Sequence, residues 1–193
     1  WTNKSFDFGN GDGHVFVNKR DVYKRSLTIS IDYAASWTSK YGSVTFNQAG
    51  RDLPYGGINE HGLNMEILWL DQTRYPKETG KKKFNESQTI QYILDMAKTT
   101  DEAIKLIKEI EIAPIMAPVH YMICDVQNKC AVIEYLNGET IVNKMTSDRP
   151  KIIQNRSYEI EKNNFDKYKS TSRVSAEGIE QIFNKPQLSD NMT

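Results

Sequence analysis

Residues 44–48 alternate apolar and polar side chains with a period of two, and residues 63–70 carry a stronger apolar run bounded upstream by Gly56, Gly57 and Gly62. Both patterns predict strands. A turn-like stretch over 9–13 leads into a further short strand at 14–18, and together these make a first sheet. The period then lengthens. Ile90, Ile93, Leu94 and Ala97 share one helical face behind Ser87, which can serve as N-cap. A second helix begins near Thr100, where Asp101 and Glu102 complement the positive end of its dipole, with Ala103, Ile104, Ile107 and Ile110 as the buried stripe. Pro114 and Pro118 force an extended passage into strands at 120–126, 130–136 and 140–144. The last two are joined by Asn137-Gly138, the strongest two-residue hairpin signal. A closing helix is expected over 175–184, with Ile179, Ile182 and Phe183 inward, ending before Pro186. Strands, a helix pair, strands and a helix predict an α+β fold in which helices cover sheet faces.

Composition narrows the function classes. The 193 residues fit one domain, and 25 basic side chains balance 25 acidic ones. With no overall field to attract nucleic acid or an anionic membrane, neither is expected as a partner. No run approaches the ~18 apolar residues of a membrane helix, and residues 1–10 are not an export signal. The two cysteines, Cys124 and Cys130, flank a polar segment and can face each other on adjacent strands. A disulfide and a pair of small buried apolar side chains are both compatible with that spacing. Neither has a nearby histidine or helix start to make it a catalytic thiolate. His14, His61 and His120 lack metal-ligand spacing, so no metal is assigned, and the glycines at 9–13 lack the lysine and helix of a phosphate loop.

Several runs carry a resemblance. Trp37-Thr-Ser-Lys-Tyr-Gly-Ser-Val44, Gly57-Ile-Asn-Glu-His-Gly-Leu63, Ile67-Leu-Trp-Leu70, the helix pair after Tyr75-Pro76, and the meander His120-Tyr-Met-Ile-Cys-Asp with Ala131-Val-Ile-Glu-Tyr resemble the choloylglycine hydrolase family, which includes bile salt hydrolases and penicillin V acylases. Their order matches over nearly the whole chain. The resemblance implies an αββα sandwich of the N-terminal-nucleophile hydrolase type, incomplete in this chain. On that reading residues 1–193 are a single partial domain, without its nucleophile strand and its C-terminal strands. Family members attack a linear amide with the thiolate of a first-residue cysteine, and the free α-amino group, with a pKa of about 8, serves as base. No cofactor is implied. Trp1 resembles the tryptophan that closes a Gly-Arg/Lys-Asn-Tyr-Asp-Trp segment in relatives, which places the nucleophile before residue 1. An alternative register lays residues 17–22 on that segment, with Asp21 as its aspartate.

The resemblance assigns roles to four residues. Asn155, in Ile152-Ile-Gln-Asn-Arg-Ser-Tyr158, corresponds to an asparagine that donates its amide to the oxyanion; without that context it is an ordinary loop asparagine. Gln154 departs from the family threonine. Arg173 corresponds to an arginine whose guanidinium favours the thiolate, although Val174 stands where relatives have phenylalanine. Trp69 offers its backbone N–H as a second oxyanion donor and its indole as a wall of the acyl pocket; taken alone, it is a core aromatic. Trp1 is expected to line the same pocket. Asn59 and Glu60 read as turn residues fixing strand entry, with Gly57 and Gly62 supplying unusual backbone angles.

The expectation is therefore hydrolysis of a small-molecule amide through a thioester, with penicillin V, bile salt conjugates or acyl-homoserine lactones as substrates. The 193 residues alone are expected to be inactive. The alternative is a catalytically inactive fragment or binding domain of the same fold. The family also leads us to expect dimers or tetramers, and it contains both cytoplasmic and exported members.

Overall fold

The computed structural model describes residues 13–28, 33–78, 80–147 and 151–171, with side chains described to residue 164 in the last stretch. Seven strands form one sheet in the order β1 (His14–Asn18), β4 (Ser43–Asn47), β5 (Pro54–Asn59), β6 (Asn64–Trp69), β9 (Val119–Cys124), β10 (Cys130–Leu136) and β11 (Glu139–Met145). Every adjacent pair is antiparallel. A ribbon of β2 (Tyr23–Arg25) and β3 (Ser36–Thr38) interrupts the path from β1 to β4. Between β6 and β9 the chain leaves the sheet through β7 (Lys82–Phe84), α1 (Glu86–Met96), α2 (Thr100–Lys108) and β8 (Ile110–Ile112) before returning. A last helix, α3, spans Tyr158–Thr171.

Strand alternation sorts the sheet into two faces. Met65, Ile67, Tyr121, Ile123 and Ile133 point to one, where they meet Ile90, Ile93 and Leu94 of α1 and Ile104 and Ile107 of α2 in the main core. The other face carries Val15, Val17, Phe46 and Ile58 in its first half and Leu68, His120, Val132 and Glu134 in its second.

The helices begin where capping chemistry places them. Asn85, rather than Ser87, caps α1: its Oδ1 accepts from the Gln88 N–H at 2.7 Å, while Ser87 is fully buried inside the helix. Asparagine is as strong a cap as serine and stands where the extended backbone ends. Thr99 caps α2, whose first turn carries Asp101 and Glu102 and whose last turn carries Lys105 and Lys108. Ile110, expected on that helix, belongs to β8 in parallel pairing with β7, because α2 stops at Lys108. The carboxylate of Glu86 accepts from the Ile115, Met116 and Ala117 N–H groups, which pins the proline-bounded passage into β9.

Glycine hides β5 from the periodicity argument. Gly57 does not supply a left-handed angle but lies inside the strand, where an added Cβ would meet the Val44 carbonyl at 2.5 Å. It is there because the neighbouring backbone leaves no room. Gly62, at φ +76°, does take the turn conformation. Asn137 (φ 55°) and Gly138 (φ 79°) make the β10–β11 turn as predicted. Cys124 and Cys130 face each other across β9 and β10 and form a disulfide. The helix expected over 175–184 lies outside the described residues, and α3 occupies a stretch in which no helix was predicted.

Candidate functional site

The runs that carry the family resemblance turn out to be joints of the scaffold. Trp37 packs against Phe84 and Tyr92, and its indole N–H donates to Asp95 Oδ2 at 2.7 Å. Asp95 is fully buried at the end of α1 and also accepts from Lys24 Nζ at 2.8 Å and Gln91 Nε2 at 2.9 Å. Burial pushes its pKa up, opposed by the charge and hydrogen bond of Lys24 and by the hydrogen bonds of Trp37 and Gln91. Asn59 does more than shape a turn. Its Nδ2 donates to the Leu94 and Ala97 carbonyls that end α1, while its Oδ1 accepts from the His61 and Leu63 N–H groups. All of its amide capacity is used to tie β5 to α1. Glu60 accepts from Arg20 and from the Gly42 N–H, and those hydrogen bonds draw its pKa down to about 2.

Trp69, the candidate oxyanion donor, is the last residue of β6. Leu70 donates its N–H to the Pro118 carbonyl at 3.0 Å. Alternation in an antiparallel ladder therefore turns the Trp69 N–H away from β9, toward the β5 side. It points there beyond the last β5–β6 pair, Gly56–Glu66. The Trp69 side chain is 42% exposed and donates its indole N–H to Asp71 Oδ1.

Beside Trp69, the row Leu68, His120, Glu134 crosses β6, β9 and β10 on the face opposite α1 and α2. His120 and Glu134 are buried, with His120 Nδ1 3.7 Å from Glu134 Oε1. Glu134 Oε1 accepts the Tyr158 N–H at 2.8 Å, and Oε2 accepts Asn143 Nδ2 at 2.8 Å. Tyr158 is the first residue of α3, and three positions before it Asn155 sits exposed in the preceding bend. Glu134 stands level with Leu68, one residue before the end of β6, and two strands away from it, so the Tyr158 contact brings the start of α3 over this part of the sheet. Trp1 and Arg173 lie outside the described residues.

Sequence reasoning passed over Glu134. The signal was available, because a carboxylate interrupts the apolar run of the strand predicted over 130–136, and a charge in such a run demands partners if buried. A cleft of about 870 Å³ opens on the helix-covered side beside Tyr75, Lys83, Ile112 and Tyr135, and neither Asn155 nor Trp69 lines it.

Comparison with known proteins supplies the context for this sheet end. The family described as linear amide C–N hydrolases, choloylglycine hydrolase family, matches residues 5–187. A penicillin V acylase of Pectobacterium atrosepticum is 34% identical over 127 residues, which is 58% of this chain and 34% of that protein. Among solved structures, penicillin V acylase from Agrobacterium tumefaciens superposes with a TM-score of 0.71 at 23% identity, over 83% of this chain and 50% of the other. Conjugated bile acid hydrolase from Clostridium perfringens follows at 0.67 and 20%, over 82% of this chain and 50% of the other. At these identities the structures establish a shared α+β fold. The chain spans half the length of those structures and about a third of the Pectobacterium relative.

Proposed function

From the premise that this chain belongs to the choloylglycine hydrolase family of linear amide C–N hydrolases, we propose that it supplies the oxyanion-binding half of a cysteine amidase. Asn155 Nδ2 and the Trp69 N–H are the two donors. The observation that carries this reading is the Trp69 N–H aimed out of the ladder beyond the last β5–β6 pair; Asn155, exposed in the bend before α3, is supplied by the family resemblance.

The nucleophile comes from outside the 193 residues. The chain holds two cysteines and both are consumed by the Cys124–Cys130 disulfide, so neither has a thiol to ionise. An N-terminal cysteine thiolate adds to the amide carbonyl carbon, and its α-amino group takes the thiol proton. The carbonyl oxygen becomes an oxyanion held by Asn155 and Trp69. When the C–N bond breaks, the α-ammonium returns a proton to the departing amine and a thioester remains. Water, deprotonated by the same amine, then attacks the thioester, releasing the carboxylic acid and restoring the thiol. Arg173 is assigned to stabilise the thiolate, with Trp69 and Trp1 flanking the acyl group. The nearest substrate class is an acyl amide with an aryl or alkyl acyl part, with penicillin V first on the strength of the Pectobacterium relative.

In the full-length protein, Asn155→Ala should lower kcat by about 100- to 1,000-fold, the usual loss for one oxyanion donor, with KM little changed. Release of phenoxyacetate from penicillin V is the assay, with glycocholate and a long-chain acyl-homoserine lactone as parallel substrates. Turnover of none of the three by protein with an intact N-terminal cysteine would favour a non-catalytic binding domain.

A further inference from the structure

We propose that Glu134 is a positioning residue for the reaction, holding the Asn155 turn in register with the end of β6 through the Tyr158 N–H. The inference rests on the oxyanion role of Asn155 given above, and it deepens that role by naming what fixes the donor.

Asn155 stands in a surface bend, and nothing in such a bend holds an amide to the tolerance that catalysis needs. Its fixed neighbour is Tyr158, three residues on. The Ser157 carbonyl accepts from the Glu161 N–H at 3.1 Å, so Ser157 is the N-cap of α3 and Tyr158 its first helical residue. A first-turn N–H has no partner within its own helix, and here it donates to Glu134 Oε1 at 2.8 Å. Glu134 is itself immobile. It is 1% exposed on β10, between β9 and β11, and its second oxygen is occupied by Asn143 Nδ2 from β11. A carboxylate at this point also suits the positive end of the α3 dipole. Ile153 and Ser157, on either side of Asn155, are buried, so the bend is anchored at both shoulders while Asn155 itself projects. The rigid sheet row Leu68, His120, Glu134 thereby links the strand that ends at Trp69 to the turn that carries Asn155.

The test uses the full-length protein. Glu134→Ala removes both acceptors, whereas Glu134→Gln keeps an oxygen for Tyr158 and places an NH₂ beside Asn143, whose amide can flip to accept it. Tyr158→Pro deletes the N–H at a helix position where proline is well tolerated, and Tyr158→Ala controls for loss of the ring. Glu134→Ala and Tyr158→Pro should each lower kcat at least ~10-fold with KM within ~2-fold, as expected of a misplaced catalytic group, while Glu134→Gln and Tyr158→Ala stay within ~3-fold of the parent. Combined with Asn155→Ala, Glu134→Ala should add almost nothing, since a donor already lost cannot be misplaced. Unchanged kcat in folded Glu134→Ala, or losses that multiply in the double variant, would overturn the proposal. Should Glu134→Ala fail to fold, the Tyr158→Pro and Tyr158→Ala pair decides in the same way. If Asn155→Ala alone leaves kcat intact, the oxyanion reading fails. The anchoring claim is then judged by hydrogen exchange at the Tyr158 amide, which should be protected in the parent and in Glu134→Gln and exchange at least ~10-fold faster in Glu134→Ala; equal protection in all three would overturn it.

Discussion

The two faces of the seven-stranded sheet are built on opposite principles. On the helix-covered face Met65, Ile67, Tyr121, Ile123 and Ile133 form a buried apolar patch, onto which α1 and α2 press Ile90, Ile93, Leu94 and Ile107. On the other face, Val15 is 63% exposed, Val17 76% and Phe46 54%, while its second half buries the polar His120 and Glu134 beside Val132. The first face owes its stability to area removed from water, which is indifferent to small displacements. At Glu134 the second holds directional hydrogen bonds, to Tyr158 and Asn143, whose value lies in where they put their partners. Apolar burial thus dominates one side of the sheet, whereas the buried carboxylate that fixes Tyr158 lies on the other.

That separation can be broken from either side. Ile93→Ala should destabilise the chain by about 2–5 kcal/mol in a denaturant or thermal melt, because a fully buried side chain leaves a cavity. Val17→Ala, on the exposed stretch of the other face, should change stability by less than about 0.5 kcal/mol. A comparable loss at both positions would show that the faces are not energetically distinct. Asn59→Ala should cost about 2–3 kcal/mol, since it strips partners from buried backbone groups at the end of α1 and in the β5–β6 turn. It should act on melting temperature, not on kcat of the folded enzyme.

The smallest effect concerns pH. Glu60 has its pKa lowered from 4.5 to about 2 by hydrogen bonds from Arg20 and Gly42. A depressed folded-state value contributes stability that is present above the unfolded pKa and is lost as pH falls through the folded one. The contribution should therefore fade between pH 4.5 and about 2, and Glu60→Gln should flatten the pH dependence of the melt across that window by lowering stability at neutral pH while leaving it nearly unchanged at pH about 2. Because the pair is exposed, 0.5 M salt should reproduce much of the effect.

Most of the helix-covered face was legible in the sequence. Helical spacing of Ile90, Ile93 and Leu94, the acidic first turn of α2, and the Asn137-Gly138 turn all act locally, so local pattern reports them. Where the structure departs from the pattern, the cause is tertiary. Gly56 and Gly57 look like turn residues but sit in β5, where neighbouring strands crowd the backbone, and Ile110 continues a helical stripe by spacing yet pairs with β7. The site was legible in a different sense. Nothing in periodicity singles out Asn155 or Trp69; both came from the family resemblance, as did Trp1 and Arg173 outside the described residues. Asn59, set aside as a turn residue, joins two layers, a duty that only long-range hydrogen bonds reveal. Glu134 was visible as a charge in an apolar strand, but its partners, Asn143 and Tyr158, lie 9 and 24 residues away, and only the fold brings them together.

The most direct measurement is a crystal structure of the full-length protein inhibited by a phenylacetaldehyde-type acyl analogue, whose thiohemiacetal oxygen stands where the oxyanion forms. Asn155 Nδ2 and the Trp69 backbone nitrogen should both lie about 2.7–3.1 Å from that single oxygen, the spacing expected of oxyanion donors. If either nitrogen is turned away from it, or the oxygen is held by other groups, the sheet end described above is not the oxyanion site.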